Sequence, residues 1–95
     1  MKIRYRLLNE KKSPLDTLLE LSEDKGIMKI IDFPLQGELY LGDDGGLYLD
    51  IPSPTNYGSF ELVEHILSLS EELMPLGITL AWRGFYRGKN NKVDD

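Results

Sequence analysis

The sequence predicts an α+β domain, a two-layer sandwich in which two helices cover one face of a mainly antiparallel sheet. Three observations carry this expectation. Residues 2–8 and 77–87, at the two ends of the chain, alternate apolar and polar side chains with the period of two that a strand buried on one face requires. Two stretches between them repeat apolar residues every three or four positions behind helix-start signals. Ninety-five residues with 41% hydrophobic content suit one independently folding domain, whereas two would each be too small to bury a core.

In the first strand, Ile3, Tyr5 and Leu7 fall opposite Lys2, Arg4 and Arg6. A polar connection over residues 9–12 leads to Ser13-Pro14-Leu15-Asp16. Serine supplies a capping oxygen, proline a preset φ at the first helical position, and aspartate a favourable charge near the positive end of the helix. Leu15, Leu18, Leu19 and Ser22 then share a stripe, and Lys25-Gly26 offers a stop. Residues 27–33 are rich in β-branched side chains between Gly26 and Pro34, which predicts a strand, although Lys29 and Asp32 fall on its opposite faces.

A hairpin follows, with strands over residues 37–42 and 47–51. A three-residue loop, Asp44-Gly45-Gly46, pairs Leu41 with Leu49 and Leu39 with Ile51, and gives Gly46 the left-handed position. Glu38, Tyr40, Tyr48 and Asp50 would then point away from the helices. Residues 52–58 have loop composition. Ser59 is placed to cap a second helix whose apolar stripe is Phe60, Val63, Ile66, Leu67, Leu73 and Met74, and Pro75 and Gly77 end it. In the last strand, Ile78, Leu80, Trp82 and Tyr86 fall opposite Thr79, Ala81, Arg83, Phe85 and Arg87, and Gly84 suggests a bulge or a close backbone approach. The order is β-α-β-β-β-α-β, a split βαβ, ferredoxin-like variant with an extra strand, and it makes the first and last strands antiparallel neighbours. Residues 1–88 form the domain, and residues 89–95 read as a flexible tail.

The net charge of −5 conceals a division. Residues 1–12 carry five bases against one acid, residues 13–82 carry thirteen acids against two bases, and residues 83–95 carry four bases against two acids. An acidic chain repels nucleic acid and anionic membranes at long range, so only a local patch would bind them. The chain has no cysteine, which excludes disulfides and thiol catalysis. It has neither a signal-peptide pattern nor an apolar run long enough to span a membrane, so the expectation is a cytoplasmic protein without a membrane partner.

No catalytic, metal or cofactor motif stands out. His65 is the sole histidine and lacks a second nitrogen or sulfur ligand; no nucleophile elbow accompanies it. Gly42-Asp43-Asp44-Gly45-Gly46 lacks the spacing of a calcium loop and the closing glutamate, and Gly84 and Gly88 make no phosphate-binding motif. What remains is an exposed basic and aromatic sheet face built from Arg4, Arg6, Tyr40, Tyr48, Arg83, Phe85 and Arg87. Flat multi-donor cations beside aromatic rings suit a protein partner or a second copy of the chain. The expectation is therefore a non-catalytic protein acting through protein–protein contacts, as adaptor, inhibitor or self-associating unit. A nucleic-acid-binding module using the same face is the alternative. A third reading is an acidic inhibitor or immunity-type protein presenting Glu61, Glu64, Glu71 and Glu72 of the second helix to a basic groove.

Overall fold

The two ends of the chain lie side by side. In the computed structural model, which describes residues 1–53 and 59–87, β1 (Lys2–Asn9) pairs antiparallel with β4 (Ile78–Tyr86). On its other edge β1 pairs antiparallel with β3 (Leu47–Pro52), and β3 pairs with β2 (Glu38–Leu41). The sheet order is β2-β3-β1-β4. One face is covered by α1 (Pro14–Glu23), α2 (Lys25–Asp32) and α3 (Ser59–Leu73). The α+β sandwich is thus as predicted, and the strand order is that of a ferredoxin-like sheet with one additional helix.

That additional helix is a correction. Residues 27–33 form no strand and belong chiefly to α2. Asp24 decides this: its carboxylate accepts the Ile27 N–H at 3.1 Å and starts α2, while its own N–H donates to the Leu21 carbonyl at 3.0 Å and closes α1. Ile27 and Ile31, four residues apart, are buried in the core, with Met28 and Ile30 partly buried beside them. Lys29 and Asp32 are exposed. Their misfit to a period of two is the mark of a period near 3.6, and burial of the two isoleucines outweighs the weak strand preference of β-branched residues.

In α1 the Ser13 cap is as expected, its hydroxyl accepting the Asp16 N–H at 3.1 Å. The inward face differs: Thr17, Leu18 and Leu21 face the core, while Leu15, Leu19 and Ser22 are exposed. Buried Thr17 is satisfied, donating to the Ser13 carbonyl at 2.8 Å and accepting from Asn9 Nδ2 at 3.1 Å. In α3 the buried side chains are Leu69 and Leu73, with Leu62 and Ile66 beside them. A 3-10 turn (Met74–Leu76) follows, and Gly77 stops it with φ 79. The capping of α3, the side chain of Phe60, most of the connection before α3 and the expected tail lie outside the described residues.

The hairpin is slipped by two residues from the expected register. Leu41 faces Leu47, Leu39 faces Leu49 and Glu38 faces Asp50, so the loop comprises five residues, 42–46. A shift of two leaves every side chain on its expected face. The longer loop is knitted by Asp44, which accepts the Gly46 N–H at 2.9 Å and the Tyr48 hydroxyl, and by a 2.8 Å bond from the Gly42 N–H to the Gly46 carbonyl. The left-handed residue is Gly45, with φ 82, and not Gly46. Gly46 is closely approached: a Cβ there would lie 3.0 Å from Tyr48 Cε2 and 3.1 Å from Arg6 Cζ, so both side chains would have to give way.

Gly84 does mark a bulge. Arg4 stands opposite Gly84 and Tyr5 opposite Trp82, so Arg83 is the extra residue. Gly84 has φ 113, a conformation side chains rarely adopt, and its glycine is required by the backbone since a Cβ would meet nothing closer than 3.9 Å. The extra residue reverses the facing of everything after it. Phe85 joins Ile3 and Trp82 on the helix-covered face, and Tyr86 joins Lys2 and Arg4 on the other, the reverse of what uninterrupted alternation predicts.

Candidate interaction surface

Alternation in β1 and β3 brings Arg4 and Asp50 opposite each other on the sheet face away from the helices. Arg4 grips Asp50 with two parallel bonds, Nε to Oδ1 at 2.8 Å and Nη2 to Oδ2 at 3.0 Å. The Tyr40 hydroxyl donates to Asp50 Oδ2 at 2.9 Å. Arg4 and Asp50 are each only 2% exposed. The Tyr86 ring lies 4.2 Å from the Arg4 guanidinium carbon, and the rings of Tyr40 and Tyr48, stacked 5.9 Å apart, flank it at 5.9 Å each. Placing Tyr86 there requires the Gly84 bulge. Arg6 follows in the same layer, 5.7 Å from the Tyr48 ring.

The electrostatics are those of a structural clamp. The bond to Asp50 raises the Arg4 guanidinium further above its ordinary value, holding it cationic. Burial, helped by the bond to Asp50, pushes the Tyr40 phenol well up, and burial followed by the bond to Asp44 raises Tyr48. Burial raises Tyr5 as well. The Tyr48 hydroxyl and the Gly46 N–H hold the Asp44 carboxyl below its ordinary value. Phenols raised in this way stay protonated near neutral pH and serve as hydrogen-bond donors, Tyr40 to Asp50 and Tyr48 to Asp44.

These shifts predict an alkaline limit to stability. For Tyr5, Tyr40 and Tyr48 the folded value lies above the unfolded phenol value of 10.0, so their contribution is complete below pH 10 and is lost as pH rises beyond it, where unfolded phenols ionise. Melting temperature should fall above pH 10, with these phenols ionising at higher pH in the folded chain than in the unfolded one. Phenolate absorbance that rises fully near pH 10 in a folded chain would contradict the burial of these rings.

Of the seven residues expected to make a basic contact face, the structure thus withdraws Arg4, Tyr40 and Tyr48 into a buried layer. Arg6 packs over Gly46 and Tyr48, half-buried. Arg83 and Arg87 are exposed. Phe85 is exposed on the opposite face, where it meets Trp82 edge-on at 5.8 Å.

A different surface takes shape around that aromatic pair. Trp82 and Phe85 are 60% and 57% exposed, and β4, nine residues long, ends the sheet with β1 as its single neighbour among the described residues. The connection from β3 through α3 to β4 joins parallel strands across β1, a crossover that is right-handed almost without exception. In that hand, α3 presents Val63, Leu67, Ser70 and Met74 toward the β4 edge, with α2 on its other flank. Val63 and Leu67 are 51% and 56% exposed. The acids of α3 point elsewhere: Glu64 and Glu71 away from the sheet, Glu61 and Glu72 toward the flank of α2, and all four are exposed.

No family model, curated protein or solved structure matches the chain. His65 is half-buried on α3, and among the described residues no group of three or more His, Cys, Asp or Glu side chains gathers as a metal site would need. No described helix is long and apolar enough to cross a membrane. Periodicity alone places Val63, Leu67 and Trp82 on core faces, whereas all three are more than half exposed. The signal that sets them apart is the breadth of the α3 apolar arc, wider than the single face that Leu62, Ile66, Leu69 and Leu73 already fill against the core.

Proposed function

We propose that this protein is a non-catalytic binding protein acting by protein–protein contact, and that its contact surface is the flank of β4: the outer strand edge, Trp82 and Phe85, and the Val63–Leu67 side of α3, bordered by Arg83 and Arg87. The observation that carries the reading is an edge strand of nine residues bearing two large aromatic side chains more than half exposed. Such edges pair readily with another chain unless they are shielded, and a contiguous exposed apolar patch beside one is a feature of interaction sites. The strand at the sheet border is favoured over the open sheet face, because Asp50 neutralises Arg4 there. For the same reason the nucleic-acid alternative loses support: one of the four arginines is buried, and the chain as a whole is acidic.

The test is a photo-activated cross-linking residue placed in turn at Phe85, Leu67 and Leu19 and illuminated in the native cell. Discrete adducts from Phe85 and Leu67, absent from Leu19 on α1, are expected. Adducts only from Leu19, or none from the β4 flank, would contradict the reading.

A further inference from the structure

We infer that the occupant of the β4 flank is a second copy of this chain, joined antiparallel along β4 about a two-fold axis, so that two four-stranded sheets continue as one of eight strands with the two α3 helices side by side. This rests on the reading of the flank as the contact surface. Four features single out self-pairing.

The first is symmetry. When a strand pairs antiparallel with its own copy, side chains opposite one another point to the same face, so the helix-side residues of one β4 meet the helix-side residues of the other. Trp82 and Phe85 of each copy then lie against an apolar surface of the same kind. A two-fold contact needs such self-complementarity.

The second is charge. Two copies of a chain with net charge −5 repel one another least where the facing surfaces carry no carboxylate. The α3 flank of Val63, Leu67, Ser70 and Met74 contains no charged residue, although the same helix carries four glutamates on its other sides. The helices would therefore approach without apposing carboxylates.

Area is the third. Trp82, Phe85, Val63 and Leu67, at 60%, 57%, 51% and 56% exposure, together present roughly 450 Å² of surface at the areas such side chains carry. Doubled across the axis and joined by the two strand backbones, this reaches the total of about 1,000 Å² or more at which specific interfaces begin.

The fourth is closure. The other sheet edge, β2, is only four residues long. Pairing β4 of one copy with β2 of the next would generate an open chain of molecules, whereas β4 with β4 closes after two.

The experiment is sedimentation of the full chain across a concentration series, comparing the wild type with Trp82→Glu, Leu67→Lys and the control Leu19→Lys. All three sites are more than half exposed, so each variant should fold, which circular dichroism and melting temperature verify. The expected result is twice the chain mass for wild type and Leu19→Lys, with dissociation constants raised roughly thirtyfold or more by Trp82→Glu and by Leu67→Lys. A wild type that stays at single mass at 100-micromolar-order concentrations overturns the inference. So does a dimer that both flank variants leave intact. In either case cross-linking from Phe85 to a different protein in the cell would still uphold the contact surface, so the two claims fail separately.

Discussion

Asp50→Ala should cost about 3–5 kcal/mol of folding stability, the range for removing one member of a buried ion pair. The reason is local. Arg4 would keep its guanidinium inside a layer of tyrosine rings with both of its bonds to Asp50 gone, and the Tyr40 hydroxyl would lose its acceptor. For a chain of this size that is a large share of the whole, since domains are stable by about 5–15 kcal/mol. Denaturant unfolding measures it. The double variant Arg4→Met, Asp50→Leu should recover much of the loss, because no buried charge is left uncompensated, while the Tyr40 hydroxyl still lacks its acceptor. By contrast Lys12→Ala, which breaks the exposed 2.7 Å pair with Glu20, should change stability by less than about 1 kcal/mol. An Asp50→Ala chain within 1 kcal/mol of wild type would show that the clamp is not what ties β1 to β3 on this face.

Ile31→Ala should be destabilising by about 2–5 kcal/mol, while Phe33→Ala should stay within about 0.5 kcal/mol of wild type. Ile31 is 1% exposed and packs in the central core, whereas Phe33, two residues on, is 74% exposed. In a strand running through residue 33 the two would share a face and a burial; here the helix ends at Asp32, and Phe33, its extended C-cap, stands in solvent. The ratio of the two losses therefore reports the secondary structure of residues 25–32 without any spectroscopy. Equal losses would put this segment back into a sheet.

What the sequence made legible follows the strength of its local signals. Ser13-Pro14-Leu15-Asp16 has three agreeing reasons to start a helix, and the helix starts there. The alternation of residues 2–8 and 77–82 has no competing reading, and the neighbouring antiparallel strands are found as expected. Residues 27–33 were less legible, because β-branched composition points to a strand while spacing points to a helix, and the cap from Asp24, three residues before Ile27, settles it. Hairpin register was half legible: facing is fixed by alternation, but loop length depended on Asp44 reaching both Gly46 and Tyr48.

The candidate contact surface was least legible, for two physical reasons. A charged residue in alternation reads as solvent-facing, yet Arg4 finds Asp50 46 positions away and is buried with it, a pairing no local pattern shows. A bulge reverses facing beyond it, so Phe85 and Tyr86 exchange faces although Gly84 announces that something happens there. Taken together, these two effects move the candidate surface from the open face of the sheet to its β4 border. A single variant that removes Arg4, Arg83 and Arg87 together would therefore mix a folding defect with any loss of association, and the flank variants are the cleaner probes.

Hydrogen exchange followed as a function of protein concentration is the most direct measurement of the central claim. The β4 amides that do not bond β1 should exchange quickly in dilute solution and become protected as concentration rises, while the amides of α1 show no such dependence. Protection that grows instead on the Tyr40–Tyr48 face or on α1, with β4 unchanged, would contradict it.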